Sequence, residues 1–130
     1  MATFSITELR LVEAIEQFTG IAGAAINRGQ AVRFDANGKL VLAQANNAAN
    51  AECVGIALKA AQPGTAVTVI RHGVLDVGNA LASAAYGAPV YLQDSAGAIG
   101  DTAGTVNVRI GQVIAHHTLA GAQKLLRVHS

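Results

Sequence analysis

A chain of 130 residues suits one domain. Apolar residues make up 52%, but 27 residues are alanine, aromatics are 4% and Trp is absent, so the core is light for its length and association between subunits would strengthen it. Charged residues are 13% and the net charge is +1; bulk electrostatics therefore give no reason to expect nucleic acid, and a surface so poor in charge suits a partner.

The first segment, "MATFSITELRLVEAIEQFTG", does not read as a secretory signal. It has no basic start, and Glu8, Glu13 and Glu16 interrupt its apolar part. No apolar run approaches the roughly 20 residues of a membrane span, so the expected compartment is cytoplasm-like. Within residues 1–19, Ser5 and Glu8 have the spacing of a capping box, and Leu11, Ile15 and Phe18 would share a helical stripe. Leu9 and Leu11 also alternate with charges, as in an extended arm, and pattern alone leaves helix, arm and extra strand open. From Gly29 the signal becomes β. "AVRFDANGKLVLA" (31–43) reads as a hairpin, with Asn37 and Gly38 assigned the positive-φ turn positions. "QANNAANAE" (44–52) is a polar loop and "CVGIALKA" (53–60) a strand. Cys53, the single cysteine, excludes an internal disulfide framework and a cysteine-only metal site. Pro63 and Gly64 mark a turn, and "TAVTVIRHGVLDV" (65–77) is a β-branched, alternating strand. "GNALASAAYG" (78–87) is a bend with room for one helical turn, "APVYLQDSAGAIG" (88–100) a second hairpin, and "TVNVRIGQVIAHH" (105–117) and "AQKLLRVH" (122–129) complete the strands.

The two halves align with each other. At an offset of 58 residues Gly20 meets Gly78, Ala22 meets Ala80, Ala24 meets Ala82, Gly29 meets Gly87 and Val32 meets Val90. After small gaps Gly38 falls on Gly97, Leu40 on Ile99, and "VGIALKAAQPG" (54–64) on "IGQVIAHHTLAG" (110–121). Two β-units, about 20–72 and 78–129, that cover each other's edges predict an all-β fold. The expected architecture is a small pseudo-duplicated β-barrel or sandwich over residues 20–130, preceded by an N-terminal arm over 1–19 with room for one short helix. The adjacent His116 and His117 take the places of Ala60 and Ala61 at a strand end. Neighbouring strand side chains point to opposite faces, and no acidic residue lies close by to orient either ring, so the pair is not expected to bind a metal.

Catalytic candidates fare no better. His72 and Asp76 would share a strand face but lie about 13 Å apart at ~3.3 Å per residue, too far for an acid–base pair. Ser83, Ser95 and Ser130 lack a nucleophile elbow, "GIAGAAINRG" (20–29) fits no dinucleotide fingerprint, and His72, His116, His117 and His129 are scattered along the chain. No catalytic, cofactor-binding or metal-binding residue is assigned; the profile is that of a structural or binding module rather than an enzyme.

The run "VGIALKAAQPGTAVTVIRHGVLDV", then "GNALASAAYGAPVYLQDSAGAI", then "RIGQVIAHHTLAG…LLRV" resembles the small capsid cement, or head decoration, proteins of tailed bacteriophages. The likeness spans about residues 29–129 and rests on glycine and valine spacing. It implies a compact β-barrel, frequently a homotrimer, on the outside of the assembled head, made in the host cytoplasm and bound to the major capsid protein. It implies no enzymatic activity, cofactor, nucleic acid or membrane. Bulky apolar residues outside the repeat then become the expected partner-binding set: Phe4, Ile6, Leu9, Leu11, Val12, Ile15 and Phe18. The competing expectation is a ligand- or glycan-binding β-barrel module without catalysis; the shortage of aromatics, with Tyr86 and Tyr91 the only tyrosines, counts against sugar stacking.

Overall fold

The computed structural model describes residues 3–4, 6–115 and 124–129. Its strands are β1 (Arg10–Ile21), β2 (Ala31–Phe34), β3 (Leu40–Leu42), β4 (Gly55–Ala57), β5 (Ala66–Asp76), β6 (Pro89–Leu92), β7 (Ile99–Gly100), β8 (Arg109–Ala115) and β9 (Lys124–His129). The fold is all-β. Among the described residues there is no helix, so none is long and apolar enough to cross a membrane. The helical stripe in the first segment gives way to extended structure because β5 offers β1 a ladder along its whole length, from Asp76 at Arg10 to Ala66 at Ile21. Residues 78–88 pass as turns and bends rather than as a helical turn.

The strand order is β3-β2-β4-β5-β9-β8-β6-β7, with β1 added on β5. It is a palindrome. Hairpin strand, inner strand, third and fourth strand run inward from one end (β3, β2, β4, β5), and their counterparts run inward from the other (β7, β6, β8, β9). Registers match as well as order: Val32 pairs with Gly55 in the first half and Val90 with Gly111 in the second. Gly29 and Gly87 share φ = +84°, which glycine adopts without steric cost. A Cβ on Gly55 would lie 2.3 Å from Ile70 O, and one on Gly111 2.3 Å from Arg127 O. The correspondence begins near Gly29 and Gly87. Upstream, Gly20 lies in β1, whereas Gly78 has φ = +64° in a turn.

The two ends of the palindrome meet. Gly97 N donates to Ala43 O (2.8 Å), Ala45 N to Gln93 O (2.9 Å) and Val106 N to Ala45 O (2.7 Å), so the sheet curls into a small barrel-like body and the edges of each half are occupied. The main core gathers Phe4, Ile56, Ile70, Leu75, Leu81, Val90, Leu92, Ile110, Val113 and Leu126 among others. A smaller cluster of Ala22, Ile26, Val32, Leu40, Ala57, Ala61, Val67 and Val69 fills the first half. β5 serves both, with Val67 and Val69 in the smaller cluster and Ile70 and Leu75 in the main one.

The first hairpin corrects one detail of the sequence reading. Only Gly38 has positive φ (+77°); Asn37 does not. The Asp35 carboxylate organises the turn instead, accepting from Asn37 N (2.8 Å) and Lys39 N (3.0 Å). Nothing lies within 4 Å of a Cβ added at Gly38, so Gly38→Ala is expected to cost only the left-handed backbone penalty of about 1–2 kcal/mol, read as a small fall in melting temperature.

Acid should loosen these turns. The amide of Lys39, then that of Asn37, holds the Asp35 carboxyl below its ordinary 3.8. The Thr105 amide and hydroxyl do the same for Asp94, which tethers the loop after β7 to the one before it at 2.8 Å through each. A carboxylate with a depressed folded pKa stabilises the fold above its unfolded value, and that contribution disappears as pH falls through the folded one. The melting temperature should hold from neutral pH to about 5 and drop below about 4, and Asp94→Asn should flatten part of that drop.

Candidate functional site

β1 is the element that the internal repeat does not account for, since among the described residues no second strand takes its place beside β9. At its start the Arg10 guanidinium binds the Asp76 carboxylate at 2.8 Å. Burial raises the Asp76 pKa, but the Arg10 hydrogen bond, the Gly78 amide and the Arg10 charge together leave it lowered. Just before the strand, Arg28 Nη2 donates to Thr7 O (2.8 Å); just after it, Ala22 bridges to Leu40 of β3.

Between these anchors β1 divides in two. From Gln17 to Ile21 it runs in regular register with Ile70 to Ala66. From Arg10 to Glu16 the register is broken. Val12 is extra between the pairs Leu11–Leu75 and Glu13–Val74, Ile15 is extra between Ala14–Gly73 and Glu16–His72, and on β5 Arg71 is extra between Glu16–His72 and Gln17–Ile70. These are β-bulges, which twist a strand and re-aim its side chains. Every residue from Arg10 to Gln17 is exposed, so neither face of this stretch is covered.

The seven residues assigned to a partner therefore separate. Phe4 is only 6% exposed and belongs to the main core, with its amide on Ile99 O at 2.9 Å. Ile6 and Leu9 pack against that core, and Phe18 packs on the smaller cluster with its ring 5.7 Å from Phe34. Leu11, Val12 and Ile15 remain at 39%, 40% and 60% exposure. Ile21 and Phe34, each 45% exposed, extend the apolar strip to the far end of β1. Phe34 lies within the expected first hairpin and Ile21 in the stretch before the β signal begins, so neither stands out in the sequence as an unpartnered apolar residue. Leu11 to Ile21 spans roughly 33 Å at 3.3 Å per residue. The charges here are Glu13, exposed, and Glu16, which faces Arg71 at 3.9 Å.

Shallow clefts open elsewhere among the described residues. One, of about 240 Å³, lies between Phe4 and Ile6 on one side and Gly29, Gln30, Gly97 and Ile99 on the other. The second is framed by Glu8, Arg10, Arg28 and Asp76, the third by Arg109, Gln112 and His129. No tyrosine lines any of them, and Tyr86 instead lies under the Lys124 ammonium at 5.4 Å. Phe4, the aromatic ring at the first cleft, is packed in the main core and only 6% exposed, so little of its face is open for stacking on a sugar. Among the described residues no three His, Cys, Asp or Glu side chains converge as a metal cluster. His116 and His117 lie outside the described residues. His72 and His129, scattered in sequence, are neighbours across β5 and β9.

No protein-family model matches the chain, and no curated protein sequence is significantly similar to it.

Proposed function

We propose that this protein is a non-catalytic structural module that decorates the outer surface of an assembled bacteriophage head and stabilises the shell, with the bulged half of β1 as its contact strip. The observation that supports this reading is the exposure of Leu11, Val12 and Ile15 on a stretch uncovered on both faces. The strip is held at both ends by the protein's own fold, so little ordering cost remains when a partner covers it. Bulges spoil the edge as a template for an added strand, so attachment here runs through side chains. The major capsid protein is the proposed partner, and a homotrimer, the number drawn from the family resemblance, multiplies a modest contact by avidity.

Gene order gives a first test, since a major capsid gene should lie beside this one. The direct test adds purified protein to shells made from that capsid protein alone. Saturable co-sedimentation with the shells and raised shell resistance to heat are expected; absence of binding to both unexpanded and expanded shells would overturn the proposal. Light scattering on the free protein and mass analysis on the particle test the trimer.

A further inference from the structure

The palindromic strand order has a chemical consequence at its centre. Because β5 and β9 are equivalent strands lying side by side, their equivalent residues face one another. The glycine contacts fix the equivalence: Gly55 stands to Ile70 as Gly111 stands to Arg127. The same step carries His72 onto His129, and these two are direct register partners in the antiparallel β5–β9 ladder. The local two-fold axis thus passes between two imidazoles. Their ring centroids are 4.5 Å apart with planes inclined by 43°.

The geometry points to a metal site: His72 and His129 form a cross-strand chelate for a divalent late-transition-metal cation, with Cu²⁺ the tightest and Ni²⁺ next. Three observations carry this. The first is reach. An ion about 2.1 Å from one nitrogen of each ring lies roughly 3.2 Å from each centroid, and centroids 4.5 Å apart then subtend close to a right angle at the ion. Right angles belong to square-planar and octahedral coordination, which selects Cu²⁺ and Ni²⁺ over tetrahedral Zn²⁺. The second is an unspent donor: His72 Nε2 is buried and meets no hydrogen-bond partner in the protein, an arrangement that costs free energy unless something binds there. The third is access. His129 is exposed and borders the open cleft with Arg109 and Gln112, so its ring is reachable from solvent, and His72 beside it is half-buried rather than fully enclosed.

The surroundings set the strength. Glu16 is the β1 register partner of His72 and is shared with Arg71 at 3.9 Å; Arg127, two residues before His129, is exposed on β9. The nearby charge is thus mixed, and no third protein ligand joins the pair among the described residues. Water completes the coordination sphere, and the site has the affinity of a bidentate imidazole chelate rather than of a structural metal centre.

The test titrates CuCl₂, and separately NiCl₂, into the full-length protein and follows the Cu²⁺ electron paramagnetic resonance spectrum, the visible absorption and the melting temperature. One ion per chain is expected, with nitrogen splitting from two imidazoles and a raised melting temperature. His129→Ala removes an exposed side chain at the end of β9 and leaves the core untouched. It should weaken Cu²⁺ binding at least about tenfold, because one of two tethered donors is lost. His72→Asn should do the same, checked against its own melting curve. The double variant His116→Ala/His117→Ala should bind as the parent does. Failure of the parent to take up either ion, unchanged binding in His129→Ala, or loss of binding in the His116/His117 variant would each overturn the site.

Discussion

Gly55→Ala should be among the most damaging single-methyl changes in this protein, costing about 3 kcal/mol or more and lowering the melting temperature by roughly 10 °C. The added Cβ would sit 2.3 Å from Ile70 O and 2.7 Å from Val69 Cγ1. The oxygen belongs to the backbone of β5, which is held along its length by β1 and joined by both β4 and β9, so it cannot step aside without parting several ladders. Backbone conformation adds to the cost, since Gly55 has φ = +149°, a value that a side chain disfavours. The duplication makes a matched prediction. Gly111→Ala places its Cβ 2.3 Å from Arg127 O and should destabilise by a similar amount through steric overlap alone. Gly64→Ala is the control, with φ = +87° but nothing within 4 Å of the new carbon. A Gly55→Ala protein that melts no lower than Gly64→Ala would show that the β4–β5 approach is looser than described.

Those two glycines also explain why the duplication was legible. A close backbone approach at Gly55 and Gly111 and a left-handed φ of +84° at Gly29 and Gly87 each favour glycine, so all four leave a mark that survives when the side chains around them drift. Val32 and Val90 survive for a related reason, each being wholly buried opposite such a glycine. The hairpins over 31–43 and 88–100 were legible, although the part given to Asn37 belongs to the Asp35 carboxylate. What the sequence hides is pairing at a distance. Nothing in residues 10–21 announces a partner at 66–76, because the ladder is interrupted by bulges at Val12, Ile15 and Arg71 and the alternation that would betray a strand is thereby scrambled. The meeting of His72 and His129 is hidden in the same way. It follows from strand order, which local pattern does not encode. The partner-binding set shows both sides of this. Bulk and apolarity were readable for all seven residues, but whether each is spent inside its own fold depends on where β1 and the segment before it dock.

That division of labour yields the last prediction, a separation of folding from attachment along one short segment. Phe4→Ala removes a ring that is 6% exposed and packed in the main core; it should cost about 3–5 kcal/mol of stability. Deleting residues 2–18 should be worse still, since it takes Phe4, Ile6, Leu9 and most of the β1 ladder together. By contrast, changing Leu11, Val12 and Ile15 together to serine touches side chains that are 39–60% exposed on a strand with neither face covered, and the melting temperature should stay within a few degrees of the parent. If the proposed function is right, that same triple variant loses its hold on the shell. Burying the exposed half of three such side chains contributes roughly 2–4 kcal/mol, which corresponds to about 30- to 1,000-fold in affinity for each copy, and an oligomer compounds the loss at every contact. The two measurements are calorimetry of the free protein and co-sedimentation with shells. A triple variant that melts as the parent does and still binds shells with parental affinity would remove β1 from the interface, and the contact would then have to lie on another face of the barrel. A triple variant that unfolds would mean that the bulged half of β1 is needed by its own sheet, which the exposure of every residue from Arg10 to Gln17 argues against.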